Sequence, residues 1–331
     1  MSRRGTGSVY EDDHEGFDRP ARHTRPRTKD RPNYSQLVVA RVVTIDRGRY
    51  RCVVDGRAVT AAKARSLGRA SVIVGDLVHL DGDTSGEPGT LARIVETLER
   101  TTVLRRTADD DDPYERPIVA NADQLVIVTA LADPPPRMGM IDRILIAAYD
   151  AGIDPLLCLT KSDLDDPSEI VAAYAPLGLA IVVTRIGAEL DELRSYLDDH
   201  VSVLVGHSGV GKSTLVNALI PGAHRAIGEV NDVTGRGRHT STSAIALELP
   251  GGSGWVVDTP GVRSFGLSHV DPRNVLRSFS DLEELTEDCP RGCTHAATEP
   301  ECALDTAVAE GRLAPERLAS FRRIQVAQRT T

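Results

Sequence analysis

The stretch Val201-Ser-Val-Leu-Val-Gly-His-Ser-Gly-Val-Gly-Lys-Ser-Thr214 decides the fold. Val201–Val205 is a short apolar run of the kind that forms a strand buried on both faces. Thr214–Ile220 reads as an apolar helix stopped by Pro221. Between them stands the pattern G-x-x-x-x-G-K-[ST], made of Gly206, His207, Ser208, Gly209, Val210, Gly211, Lys212 and Ser213. Strand, glycine-rich turn and helix are the context in which this pattern counts as a phosphate loop rather than a turn that happens to be rich in glycine. The glycines let backbone N–H groups converge on phosphate oxygens at the positive end of the helix. Lys212 is expected to reach the β- and γ-phosphates and to act in catalysis, and the Ser213 hydroxyl to ligate Mg²⁺. Thr214 completes the set of phosphate-binding residues.

Upstream, strands alternate with helices. Gln124–Leu131, Pro155–Leu159 and Leu179–Thr184 read as strands. Met140–Ala151, Ser168–Ala175 and the Leu190/Leu193/Leu197 stripe read as helices. The alternation predicts a doubly wound, mostly parallel α/β sheet with its ligand at the C-terminal strand ends. Thr160-Lys161-Ser162-Asp163 follows the second of these strands. An Asp163 carboxylate can accept from guanine N1–H and from the 2-amino group, while adenine would leave it unpaired. The Lys161 stem can lie over the base, and Thr160 offers a hydroxyl where Asn is commoner. As an isolated tetrapeptide the motif would equally suit a surface loop; its place after a sheet strand points to base recognition.

Downstream, Asp258-Thr-Pro-Gly261 follows the predicted strand Trp255–Val257. Asp258 is expected to hold Mg²⁺ through water, and the Gly261 N–H to face the γ-phosphate. The Gly/Arg-rich segment 235–242 precedes it where a switch loop belongs, with Thr240 as a further magnesium ligand. The order is base loop, phosphate loop, switch loop, D-x-x-G, a circular permutation of the usual arrangement. Val262 occupies the position at which many GTPases carry a water-orienting Gln. His239 is the residue of the switch segment able to align water or accept its proton near neutral pH, though a loop histidine that only contacts phosphate or RNA fits the sequence too.

Residues 1–33 mix Arg, Asp, Gly and Pro with few aliphatics and read as a disordered arm. From Leu37 to Leu98, five short β-runs separated by Arg47-Gly48, Asp55-Gly56, Gly75-Asp76 and Asp81-Gly82 suit a small closed barrel of the OB type. Net charge is −9, yet residues 1–98 hold 17 Lys/Arg against 13 Asp/Glu, so any polyanion-binding face belongs to that end. Arg41, Arg49, Arg51, Lys63, Arg65 and Arg69 are candidate phosphate contacts, although small barrels also serve as plain adaptors. Residues 99–120 carry the acidic run Asp109–Asp112 and read as an exposed loop. Aromatic residues make up 4% of the chain, so Val, Ile, Leu and Ala must build its core. No apolar run is long enough to span a bilayer, and the N-terminus does not read as a signal peptide, which points to the cytoplasm.

Three of the five cysteines fall in Cys289-x₃-Cys293-x-His295-x₆-Cys302, a set suited to one tetrahedral, structural zinc ion. Cys52 and Cys158 lie in β-runs and read as core. Ala303–Ala309 and Pro315–Gln325 read as helices, with Arg317, Arg322 and Arg323 either facing RNA or solvating the last one.

The permuted order, Asn121-Ala-Asp-Gln-Leu-Val-Ile-Val128, Gly206–Thr214, Gly237-Arg-His-Thr240, Asp258–Arg263 and the Cys/His cluster together resemble the RsgA/YjeQ family of ribosome small-subunit biogenesis GTPases. The resemblance spans roughly residues 36–325. It implies an OB barrel (34–98), a circularly permuted P-loop G domain (99–270) and a helical zinc domain (271–331). It also implies a monomer that binds the 30S subunit and 16S rRNA, whose GTP turnover the particle accelerates, with His239 as the catalytic candidate. The first ligand gap of the zinc set is one residue shorter, and the last one longer, than is usual in that family. Two other readings compete. One is an RNA-binding protein whose affinity guanine nucleotide merely tunes. The other, a metal-delivery GTPase, would need an exchangeable metal, which a closed Cys₃His set does not favour.

Overall fold

The two-residue turns at Arg47-Gly48 and Asp55-Gly56 place both residues at positive φ (43° and 80°, 47° and 75°), the geometry that joins tightly twisted hairpin strands. They link β1 (Val38–Asp46), β2 (Arg49–Val54) and β3 (Arg57–Lys63). With β4 (Leu77–Asp81) and β5 (Ala92–Thr97) these close a barrel in the order β1-β2-β3-β5-β4, as expected for the OB type. Alternate residues point inward, so Val42, Cys52, Val59, Ala61, Val78, Leu80 and Ile94 form its core. This computed structural model describes residues 33–68, 72–106, 116–223, 244–259, 270, 272–277 and 279–329. Almost all of the expected arm, Arg69, the acidic run, the switch segment with His239 and Thr240, and Gly261 with Val262 lie outside the described residues.

The central sheet is built from β8 (Gln124–Ala130), β9 (Asp154–Thr160), β10 (Ala180–Val183), β11 (Val201–Val205), β12 (Ile245–Glu248) and β13 (Trp255–Asp258). Its order is β10-β9-β8-β11-β13-β12, parallel except for the antiparallel edge pair β12–β13. Period-two alternation sends Leu125, Ile127, Leu157, Val203 and Val205 to one face. There they meet α1 (Met138–Ala151) and α2 (Ser168–Tyr174). Val126, Val128, Cys158 and Leu204 point to the other face, against α3 (Asp191–Leu197) and α4 (Lys212–Leu219). Each Leu or Ile so buried contributes about 1.5–3 kcal/mol, which makes aliphatics sufficient here.

Where an exposed loop was expected, β6 (Val103–Arg106) and β7 (Arg116–Ala120) pair as a hairpin. Pro117 masks the second strand in the sequence, and the pairing tolerates it at a register shift. The edge strand β12 was not anticipated either, although Ala244–Leu249 is almost continuously apolar. The C-terminal region adds α5 (Pro272–Arg277), α6 (Ser280–Leu285), α7 (Ala303–Ala309) and α8 (Pro315–Arg329). These form a further layer over α1, where Phe279 stacks edge-on against both Tyr149 and Phe321.

Contacts cross the expected boundaries, and Tyr34–Thr331 pack as one unit. Arg100 forks onto Asp76 at 2.6 and 2.9 Å, and the Asp76 carboxylate also accepts from Ile73 N–H. Asn121 donates to Gly75 O at 3.0 Å and accepts from Thr101 N–H at 2.9 Å. A Cβ on Gly75 would lie 2.0 Å from Ala120 O, so only glycine permits this seam between barrel and sheet. Asp123 and Gln124 continue the fastening. Asp123 accepts from Val201 N–H, while Gln124 joins Tyr196 O to the Ser202 hydroxyl. The N-A-D-Q segment is therefore a joint.

Candidate nucleotide site and Cys/His centre

Parallel strands deliver their following loops to one edge of the sheet, and the sequence-predicted nucleotide residues that are described gather there. The phosphate loop leaves β11 at Gly206. A Cβ there would lie 2.2 Å from Val128 O on the neighbouring strand, so the loop can start only with glycine. Gly209 and Gly211 take φ of 85° and 97°, and Gly211 caps α4. The Lys212 ammonium folds back to donate to the carbonyls of Gly206 and His207. Ser213 and Thr214 are exposed at the first turn of α4, and Ser208 and Gly209 are exposed on the loop. His207 turns its ring to Ser208 O (2.9 Å).

The base loop is tied directly to the phosphate loop. The buried Thr160 hydroxyl donates to Val210 O at 2.6 Å, so the side chain that replaces Asn serves as a latch. Lys161, at φ 59°, extends to Asp133 O, and Ser162 N–H donates to Thr184 O at 3.2 Å. Asp163 is exposed. Thr160, Lys161, Gly209, Gly211 and Thr214 share a cavity of about 400 Å³ with the loop Thr184–Ala188. Sequence reading missed that loop. Its signal was position alone, directly after a parallel strand.

Asp258 closes the site from β13. Burial pushes its carboxyl above the usual range, while the Lys212 ammonium and the Thr259 N–H pull it back toward the ionised form. Thr259 is buried and donates to Leu204 O at 2.9 Å, which fixes the exit of β13 beside β11. A half-buried carboxylate beside a lysine, at the mouth of a phosphate loop, suits a hydrated divalent cation.

A family model for RsgA GTPases matches residues 97–268. The small ribosomal subunit biogenesis GTPase RsgA of Pseudomonas aeruginosa strain LESB58 is 45% identical over 77% of this chain and 75% of its own length. Its Azotobacter vinelandii counterpart is also 45% identical, over 70% and 68%. The chain belongs to the RsgA GTPase family. The crystal structure of YjeQ from Thermotoga maritima covers 89% of this chain and 99% of its own at a TM-score of 0.66 and 25% identity. YloQ, described as a circularly permuted GTPase, shares the fold at a TM-score of 0.64 and 23% identity, over 91% and 98% of the two chains. The motif order read from this sequence is itself permuted, as the printed description of YloQ says of that protein, and the chain is a GTPase.

In the C-terminal region, Cys289, Cys293, His295 and Cys302 bring four ligand atoms within 4.8 Å of one another. His295 Nδ1 lies 3.5 Å from the Cys289 and Cys293 sulfurs and 3.9 Å from that of Cys302. Tetrahedral bonds of zinc length to nitrogen and sulfur would set such pairs about 3.6 Å apart, so the donor set fits the ion. Burial lowers the His295 pKa, favouring the neutral ring that a ligand needs. Burial also pushes the Cys289 thiol up to about 11, a cost that a cation would offset. The shortened and lengthened gaps leave the cluster closed. Cys52 and Cys158 are fully buried with thiols pushed up to about 12, inert core groups as expected.

The basic residues divide sharply. Arg49, Arg51 and Arg65 are exposed on the barrel, and Lys63 is half-buried. Exposed Arg93 joins them: Ala62 pairs with Arg49 on one side and with Arg93 on the other, so two arginines flank a small residue. Arg41 is not available, because its guanidinium packs 5.6 Å over Trp255 and its burial lowers its pKa. The three arginines of the last helix are paired within the protein. Arg317 forks onto Asp281, Arg323 reaches buried Asp142 over the Tyr174 ring, and Arg322 grips Asp305. Among the described residues, no helix is long and apolar enough to cross a membrane.

Proposed function

We propose that this GTPase acts in late maturation of the small ribosomal subunit, docking through 16S rRNA and leaving when GTP is hydrolysed. The observation that carries the reading is the latch from Thr160 to Val210, which joins a guanine-type base loop to a phosphate loop in the permuted order of the family. Asp163 would select guanine and the Lys161 stem would cover the base. The N–H groups of Gly206–Thr214, with Lys212, would bind the phosphates, and Gly261 the γ-phosphate. Lys212 must give up its carbonyl partners to reach them, a local rearrangement expected on loading. Ser213, Thr240 and, through water, Asp258 would hold Mg²⁺, which would supply charge neutralisation at the phosphates. With valine at position 262, His239 would orient the attacking water on the particle.

The Cys₃His set would hold one structural zinc ion, for which its spacing and neutral histidine argue. We read 1–33 as an arm, 34–98 as the OB domain, 99–270 as the G domain and 271–331 as the zinc domain, in a cytoplasmic monomer. Arg49, Arg51, Arg65 and Arg93 would face rRNA phosphates. Replacing Arg49, Arg51 and Arg93 by Glu should weaken binding to 30S particles and flatten its salt dependence while leaving GTP binding intact. Unchanged particle binding would remove the barrel from the interface. If the particle binds but turnover never responds to it, the chain is an RNA-binding protein that nucleotide only tunes.

A further inference from the structure

The four candidate zinc ligands come from two segments of chain. Cys289, Cys293 and His295 lie on the loop after α6, whereas Cys302 caps the start of α7. A single backbone bond links them, Ala303 N–H donating to the Cys289 sulfur at 3.3 Å. His295 sits at φ 57°, a left-handed conformation that non-glycine residues rarely adopt. Such a conformation persists only where its surroundings fix it.

One side chain reaches both segments. From α8, Arg322 donates through Nε to His295 O at 3.0 Å and through Nη2 to Ala296 O at 3.4 Å. The same guanidinium forks onto Asp305, at 2.8 Å to Oδ1 and 2.7 Å to Oδ2. Asp305 stands in the first turn of α7, its N–H donating to Cys302 O at 3.1 Å. The arginine side chain is 17% exposed, which shelters its bonds to the loop carbonyls, while its Asp305 partner is half exposed. Three thiolates around a divalent cation also leave a net charge of −1, which a guanidinium beside them offsets.

We infer that Arg322, braced by Asp305, is a positioning residue for the metal centre, stapling the His295 loop to the Cys302 turn so that the four ligands meet in tetrahedral geometry. The inference rests on reading the cluster as a zinc site. It gives a sequence signature the ligands lack: an arginine on the final helix and an aspartate three residues after the last cysteine.

The test uses the zinc-loaded full chain and a chromophoric chelator that reports release. Outer partners of metal ligands typically contribute 10- to 100-fold in affinity. Arg322→Met, which keeps the stem and removes the fork, should release zinc at least about tenfold faster than the wild type. Arg322→Lys, which keeps the charge and loses the bidentate geometry, should fall between the two. Cobalt-loaded Arg322→Met should show altered d–d bands, since the ligand geometry itself is held by the arginine. If Arg322→Met does not accumulate, Asp305→Asn reads the same effect severalfold. Wild-type release rates with unaltered cobalt bands in these variants would overturn the inference and leave the zinc reading standing. A wild-type chain that takes up neither zinc nor cobalt would overturn both.

Discussion

The nucleotide pocket and the Cys/His centre solve the same problem, holding charge in place, by opposite means. The pocket is made of backbone. Six strands fix its loops, and its tightest fits are a glycine against a neighbouring carbonyl and a threonine hydroxyl on another. The Cys/His centre is made of side chains on short helices and loops, with two of its residues, His295 and Glu301, at positive φ. A pocket of the first kind exists before its ligand arrives. A centre of the second kind needs its ion to be ordered, which makes metal binding and folding there one equilibrium.

The contrast breaks most visibly at Cys293. Cys293→Ser should abolish zinc uptake and the protease resistance of the C-terminal layer, with one zinc per chain expected in the parent protein by elemental analysis. In peptides of this ligand class the metal supplies about 10–16 kcal/mol. GTP binding should survive, because the pocket stands on the sheet. A zinc-free chain with a protease-resistant C-terminus would erase the distinction.

On the other side a single methyl group should suffice. Gly206→Ala sets a Cβ 2.2 Å from Val128 O, a backbone atom of a central strand that cannot withdraw. Overpacking of this kind costs about 1–3 kcal/mol in stability, and the displaced loop should lose nucleotide. Thermal unfolding and nucleotide titration measure the two losses. A normal melt with normal GTP affinity would mean that the pocket is not preformed.

Much of this contrast was legible in the sequence, because glycine-rich turns after apolar strands and closely spaced cysteines are local signals. The barrel, the parallel sheet and the ligand cluster all follow from such signals. What sequence reading missed is relational. Arg322 resembles any solvated helix arginine until the fold brings it to a loop 27 residues away. Arg41 looks like a phosphate contact until Trp255 covers it. The Thr184–Ala188 wall of the pocket has no composition of its own to mark it.

Asp163→Asn sharpens the comparison further, since it alters the base contact without touching the scaffold. GTP affinity should fall by about 100-fold and xanthosine nucleotides should gain, as an amide can donate to the 2-oxo group. Equal GTP affinity in the variant, measured by calorimetry, would remove Asp163 from base recognition.

The smallest effect is expected where the C-terminal layer meets solvent. The Arg317 fork holds the Asp281 carboxyl below the usual carboxylate range. A lowered folded-state pKa means that the stabilisation is present above the unfolded value, near 3.9, and is lost as pH falls through the folded one. Asp281 is half exposed, so the pair contributes little at pH 7. Asp281→Asn should lower the melting temperature slightly at neutral pH, and the gap to wild type should close in acid. A gap that persists well below pH 4 would assign the effect to packing.

If the pocket is built in advance, the ribosomal particle should act on the rate of hydrolysis rather than on nucleotide binding. Truncation at residue 98 tests this badly, because it would strip Asp76 from Arg100 and Gly75 from Asn121. The direct measurement is steady-state GTP hydrolysis by the intact chain with and without purified 30S particles, repeated with His239→Ala. Stimulation of at least about tenfold, falling with salt and lost in the variant, is the expected result. A rate that the particles leave unchanged would contradict the claim.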